Sequence, residues 1–197
     1  MNPSVEMEKA TRSGVGPSDA ALVVAARAGE MWAKEALFRR HARTVNGLVF
    51  RLLGRDNADF EDHVQEAFCL SFQSLGSLRE PQAFASFLCS TAVRVVYKTL
   101  KRRKMLARLG LAHSGPFDAA ELVSKAAPPD AAAELKAIFE CLIELGAKEQ
   151  LVVLLRRVEG YKIDEIVALT GMSSGTVKRK LARAEELLAR RFGGGRS

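Results

Sequence analysis

The chain's 197 residues suffice for one ordinary domain or two small ones, and a hydrophobic content of 48% at mean hydropathy −0.02 excludes a chain disordered throughout. A formal charge of +7 and a pI of about 9.6 point towards a polyanionic partner, although charge alone is weak evidence for one. There is no apolar run near the roughly 20 residues of a membrane span, no signal-peptide core, and no CxxC pair among Cys69, Cys89 and Cys141. The expectation is therefore a cytoplasmic protein without membrane insertion or a disulfide framework, its thiols serving as small apolar fillers.

Residues 1–17 carry Gly, Pro, Ser and charge without periodicity and read as a disordered segment. Ser18 and Asp19 can cap a helix that runs through Ala28 and stops at Gly29. A longer helix follows from Met31 to Leu53, with Leu37, Val45, Leu48, Val49, Leu52 and Leu53 recurring at helical spacing. From Asp59 to Leu75, Phe60, Val64, Ala67, Phe68 and Phe72 form one stripe, with Glu61, Asp62, Gln65 and Glu66 opposite it. Gly76 ends that helix, and Pro81 suits the first turn of another running to Lys104.

Residues 105–130, with HSGPFD and KAAPPD, read as a linker containing a short helical piece near Ala119 to Ser124. Leu135, Ile138, Phe139, Leu142 and Leu145 restore a helical stripe, and three helices follow over about 147–158, 162–170 and 174–191, before a disordered tail at 193–197. No segment alternates as a strand would. The fold class is all-α: two small helical domains, 18–104 and 131–192, joined by a flexible linker.

YKIDEIVALTGMSSGTVKRKLARAEELL carries the strongest local signal. Ile163, Ile166 and Val167 face one way, Gly171 permits a left-handed corner, and Ser173 can cap the next helix. That helix offers Val177, Leu181, Ala184 and Leu188 for burial, and Thr176, Arg179 and Arg183 outward, flanked by Lys178 and Lys180. The pattern is a helix-turn-helix whose second helix enters a major groove, where Arg and Lys donate to guanine and Ser and Thr reach bases or phosphates. A solvated basic face on an ordinary helix pair is the competing reading. The motif does not by itself distinguish a polymerase subunit from a repressor.

Glu61, Asp62, Gln65 and Glu66 make an acidic patch in a basic chain, fit for a basic protein partner; on spacing alone a merely solvated face is favoured. The paired carboxylates also invite a metal or acid–base reading, with His63 to one side of them. No ExxH or HxxE motif accompanies them, and there is no phosphate-binding loop, nucleophile elbow or metal-spaced Cys/His set. No catalytic residue, metal or cofactor is expected, and the chain is not expected to be an enzyme. On the following helix, Phe84, Phe87, Leu88, Thr91 and Val95 give an apolar face, and Arg94, Lys98, Lys101, Arg102, Arg103, Lys104 and Arg108 a run free of acids that suits phosphates. The loop from Gly76 to Gln82, with Arg79, can present an unstacked base to Phe84 or Phe87.

LFRRHARTVNGLVFRLLG followed by DFEDHVQEAF resembles region two of the extracytoplasmic-function (ECF) sigma factors of bacterial RNA polymerase, and LGAKEQLVVLLRRVEGYKIDEIVALTGMSSGTVKRKLARA resembles their region four. The resemblance implies a promoter-specificity subunit. Glu61, Asp62, Gln65 and Glu66 would dock on the beta-prime clamp helices of core polymerase, and region four on the beta flap. Arg79, Phe84, Phe87, Arg94, Lys98, Lys101 and Arg102 would melt and read the minus-ten element; Ser173, Ser174, Thr176, Lys178, Arg179, Lys180 and Arg183 would read the minus-thirty-five element as duplex. Elements about 20 base pairs apart lie roughly 70 Å apart, which a linker of about 26 residues can span. The family also leaves room for an anti-sigma partner, which no residue here demonstrates. The chain departs from the family where Phe87 replaces Trp, Arg94 and Lys98 replace Asn and Asp, and His63 replaces an aliphatic residue. A polymerase-independent helix-turn-helix regulator is the alternative, and it leaves the acidic face and the linker unexplained.

Overall fold

A computed structural model of the chain describes residues 16–53, 60–111 and 144–192. The expectations for residues 1–15, the helical piece at 119–124, the stripe from Leu135 to Leu142, Cys141 and the tail lie outside them. The described residues contain seven α-helices and no strand: α1 (Asp19–Arg27), α2 (Met31–Leu53), α3 (Phe60–Gln73), α4 (Phe84–Arg108), α5 (Ala147–Arg157), α6 (Ile163–Thr170) and α7 (Ser174–Phe192). Two single 3₁₀ turns, Leu75–Ser77 and Pro81–Ala83, connect α3 to α4.

The helix ends follow from local chemistry. The Ser18 hydroxyl accepts from the Ala21 amide at 3.3 Å, capping α1 as its sequence suggests. Gly29, at φ +95°, provides the turn into α2. The α4 helix begins at Phe84 rather than Pro81, because Pro81–Ala83 forms a 3₁₀ turn, and it continues to Arg108, into the stretch read as linker.

In the N-terminal half α1–α4 form a bundle in which α3 packs on α4, α2 on both, and α1 on α2. Every apolar position expected on α2 is buried; so are Val64, Ala67 and Phe68 on α3. Phe84 is fully buried, its ring stacked on Phe72 at 6.3 Å and near His41 at 5.5 Å. Asp19 accepts from Arg40 at 2.6 Å and pairs with His41 at 2.8 Å, and Arg40 also donates to the Pro17 carbonyl at 2.7 Å, which ties the entry of α1 to α2.

In the C-terminal half α5 and α6 support α7 through Leu151, Leu155, Ile166 and Val177. The halves are not separate bodies. The α4 helix packs on α5 and α6, α2 packs on α5, and buried residues of both halves belong to one continuous core.

Candidate functional site

The acidic quartet stands as its periodicity suggests. Glu61, Asp62 and Gln65 are exposed and Glu66 is half-buried, with Val64, Ala67 and Phe68 on the other side of α3. His63 does not lie beside the carboxylates. It is buried and turned towards α4, where its Nε2 shares a 2.8 Å hydrogen bond with the Thr99 hydroxyl. In that inward position the Thr99 hydroxyl satisfies one nitrogen of the buried imidazole.

On α4, Phe87 is half-buried and Arg94, Lys98, Lys101 and Arg102 are exposed. Phe84 is 0% exposed and belongs to the core, so Phe87 alone of the two rings is reachable by a base. A groove of about 390 Å³ between α3 and α4 is lined by Glu66, Leu70, Phe87, Thr91, Arg94 and Lys98 among others. Arg94 is held over it, its Nε donating to the Ser90 carbonyl and its terminal nitrogen to the Thr91 hydroxyl, both at 3.2 Å. Lys98 reaches the Glu66 carboxylate at 3.1 Å. The acidic face and the basic face therefore meet along one edge of this groove.

Arg79 is exposed on the connection between the 3₁₀ turns. That connection is fixed from below by Arg27 of α1, whose guanidinium donates to the Leu75 carbonyl at 3.0 Å and to the Leu78 carbonyl. Arg27 has no distinguishing signal in the sequence, where it is simply the basic last turn of a helix. In the fold it sets the shape of the loop.

The helix-turn-helix is formed by α6 and α7. Gly171 closes α6 at φ +69°, its amide donating to the Val167 carbonyl at 2.9 Å. The Ser173 hydroxyl accepts from the Thr176 amide at 3.3 Å and bonds the Thr176 hydroxyl at 2.9 Å, so both side chains build the cap of α7. Val177 and Ala184 are buried and Leu181 and Leu188 half-buried, as their spacing indicates. Lys178, Arg179 and Arg183 are exposed and Ser174 is half-buried at the helix start. Gly175 and Ala182, also exposed, keep the outward surface narrow beside Arg179. Lys180 points elsewhere. It is only 19% exposed and reaches the Glu149 carboxylate of α5 at 3.4 Å, with Arg183 at 3.5 Å from the same oxygen.

Glu149 is a second residue that spacing does not reveal. Its carboxylate also accepts from the Gly146 amide at 2.7 Å, capping α5. Burial, the largest influence, pushes this carboxyl up, but the Gly146 amide with Lys180 and Arg183 outweighs it and holds the group below its ordinary range. One buried carboxylate thus ties the start of α5 to the middle of the helix that carries the basic face.

The described residues contain no cluster of three or more His, Cys, Asp or Glu placed to hold a metal ion. Cys69 and Cys89 are free thiols. No helix among the described residues is long and apolar enough to cross a membrane.

Two family descriptions match in the order of the two halves: Sigma-70 region 2 over residues 37–105 and Sigma-70 region 4 over residues 135–188. The chain is 33% identical over 177 residues to the ECF RNA polymerase sigma factor SigM of Mycobacterium tuberculosis, covering 89% of this chain and 85% of SigM. The chain belongs to the ECF RNA polymerase sigma factors. As a sigma factor it directs transcription initiation, with core RNA polymerase and promoter DNA as its partners.

Other sigma factors are similar along nearly the same span. CarQ of Myxococcus xanthus is 30% identical over 85% of this chain and 93% of its own, and the sigma-E factor of Escherichia coli 27% identical over 87% and 92%. The fold is also that of CnrH, solved in complex with the cytosolic domain of CnrY, at a TM-score of 0.57 and 21% identity over 91% of this chain and all of that one. The all-α expectation and the family reading therefore hold.

Proposed function

We propose that this sigma factor docks on the beta-prime clamp helices of core polymerase through Glu61, Asp62, Gln65 and Glu66, with region four on the beta flap. The observation that carries this reading is the clustering of charge: Glu61, Asp62 and Gln65 of α3 point away from their own core, and the α4 cations meet this face only at its edge, where Lys98 pairs with Glu66. An acidic face so placed on a basic protein suits a basic protein partner, because the same face would repel DNA.

In this reading residues 18–104, extended by the observed helix to Arg108, act as region two and residues 131–192 as region four. The groove beside Phe87 receives an unstacked base of the minus-ten strand, with Arg79, Arg94, Lys98, Lys101 and Arg102 on its phosphates. Cations where the family carries Asn and Asp favour backbone contacts over base selection. On α7, Ser174, Lys178, Arg179 and Arg183 face the minus-thirty-five duplex, Ser173 and Thr176 order the helix start, and Lys180 positions the helix through Glu149. Melting is driven by binding energy, since capture of unstacked bases favours the open form. The protein acts in the cytoplasm and performs no catalysis of its own. An anti-sigma partner belongs to the same reading; CnrH, which shares the fold, was solved with a protein partner, the cytosolic domain of CnrY.

The test is core polymerase binding by the double variant Asp62→Arg, Glu66→Arg. Binding should be lost while the circular dichroism spectrum stays helical. Retained affinity in the folded variant would overturn the assigned interface.

A further inference from the structure

The first 3₁₀ turn of the α3–α4 connection, Leu75–Ser77, has little to hold it in place locally. It has no side-chain cap, and its backbone bonds run from the Ser77 amide to the Ser74 carbonyl at 3.0 Å and from the Leu78 amide to the Leu75 carbonyl at 3.2 Å. The second turn closes on itself in the same way, the Ala83 amide donating to the Glu80 carbonyl at 2.9 Å. Among the described residues no hydrogen bond joins the first turn to the second or to α4. Few bonds and an exposed backbone make such a segment easy to displace unless something outside it holds it.

Arg27 provides that hold. It stands in the last turn of α1, where a cation ordinarily favours the carbonyls of its own helix. Its guanidinium instead leaves the helix and takes both ends of the turn, Nε donating to the Leu75 carbonyl at 3.0 Å and a terminal nitrogen to the Leu78 carbonyl. Because both bonds come from one planar group, they fix the two carbonyls relative to each other, which the single nitrogen of a lysine cannot do. The support behind it is firm: α1 packs against both turns, and its first residue, Asp19, is held by Arg40 and His41 of α2.

The gripped carbonyls bracket Gly76 and Ser77, and Ser77 lines the α3–α4 groove together with Ser74 and Phe87. The Ser77 proton is committed to the Ser74 carbonyl at 2.8 Å, which leaves its oxygen to accept. Elsewhere in the groove the Thr91 hydroxyl is engaged by the Phe87 carbonyl at 3.0 Å and by Arg94 at 3.2 Å, and Glu66, Arg94 and Lys98 are charged. With the α4 cations on phosphates, a base beside Phe87 meets Ser74 and Ser77 as its neutral polar contacts. An accepting hydroxyl oxygen suits the exocyclic amino group of adenine, cytosine or guanine, which thymine lacks.

We propose that Arg27 is a positioning residue for base selection: by gripping the Leu75 and Leu78 carbonyls from α1, it holds the Ser77 hydroxyl where it discriminates an unstacked base beside Phe87. The grip stands on the hydrogen bonds alone; its effect on base selection rests on the function proposed above. Stacking on an aromatic ring tolerates any base, so Phe87 governs how tightly the strand binds and the Arg27-held turn governs which base is preferred. Arg27→Lys keeps the charge and the helix propensity and loses the fork. It should lower the affinity ratio of an amino-bearing base over thymine by about twofold to tenfold, the share of a single hydrogen bond. Arg27 is exposed, so the change disturbs no core.

Two measurements on the full-length chain test the proposal, with circular dichroism to confirm equal helicity. Amide hydrogen exchange should be faster over residues 75–79 in Arg27→Lys than in the parent, by about threefold or more, with α3 and α4 unchanged. Unchanged exchange in that segment would overturn the grip. With the chain loaded on core polymerase, fluorescence anisotropy of single-stranded minus-ten oligonucleotides, substituted one base at a time, reads the selectivity. Arg27→Lys and Ser77→Ala should each lower the ratio, and the double variant should lower it no further than Ser77→Ala alone, because one residue acts through the other. Phe87→Ala should instead weaken every strand and keep the ratio. If Arg27→Lys weakens all strands in proportion, or adds its loss to that of Ser77→Ala, the positioning role is overturned. A parent chain that loads on core polymerase yet binds no minus-ten strand would refute the proposed function and the base-selection half with it, while exchange still decides the grip.

Discussion

Replacing Glu149 by Gln should lower the stability of the C-terminal half by about 2–3 kcal/mol at neutral pH. Gln keeps an oxygen for the Gly146 amide, so the cap of α5 survives and the loss is that of the charge. Lys180, 19% exposed, would be left dehydrated beside a neutral amide, which costs about 1.5–3 kcal/mol. Arg183 is 73% exposed and adds between nothing and about 1 kcal/mol. Because the folded carboxyl lies below its ordinary range, its stabilisation is full above the unfolded value near 4.3 and fades as pH falls through the folded one. Urea denaturation followed at 222 nm, at pH 7 and again below about pH 4, measures both effects. A difference from the parent below about 0.5 kcal/mol at pH 7, or one that widens in acid, would refute this account of how α7 is anchored.

The two phenylalanines of α4 should separate cleanly. Phe84→Ala should cost about 3–5 kcal/mol of stability, while Phe87→Ala should leave denaturation nearly unchanged and weaken binding of a melted minus-ten strand by about 1–3 kcal/mol. Filter binding with single-stranded and duplex probes checks the second effect. On α7, Arg179→Ala should weaken minus-thirty-five duplex binding by about 1–3 kcal/mol with altered base preference, and Lys180→Ala should chiefly lower stability. Gel shifts over a set of substituted duplexes distinguish base readout from a uniform phosphate contribution. Gly171→Ala should destabilise the C-terminal half by about 1–2 kcal/mol, seen in thermal melts, because an alanine is strained at φ +69°.

The helices were legible because most of them bury a single face, and one apolar stripe at a 3.6-residue period marks both the helix and its inward side. That is true of α2 and α7, where every expected apolar position is buried or half-buried; on α3 Val64, Ala67 and Phe68 are buried as expected, but the polar His63 and Ser71 join them and Phe60 and Phe72 are only half-buried. On α4 two buried faces overlay each other, so Val93, Val96 and Leu100 blur the period instead of marking a second contact. Phe84 and Phe87 are alike in sequence, and only the stacking of Phe84 on Phe72 separates a core ring from an accessible one. The basic run on α7 likewise does not reveal that Lys180 turns back to a carboxylate 31 residues earlier, while Arg179 stays outside. The Arg51–Glu159 pair spans 108 residues, a separation at which neither spacing nor composition carries information. The acidic quartet was legible as a face. The docking role proposed for it rests on resemblance to the family, and its edge-to-edge meeting with Lys98 emerged only from the fold.

Run-off transcription with bacterial core polymerase on promoters enriched by overproducing this protein tests the central claim most directly. The account predicts promoter-specific transcripts that require both core enzyme and this chain, and that disappear with the Asp62→Arg, Glu66→Arg variant. Failure to load onto core under conditions that load another sigma factor, together with tight binding to duplex sites without polymerase, would contradict it.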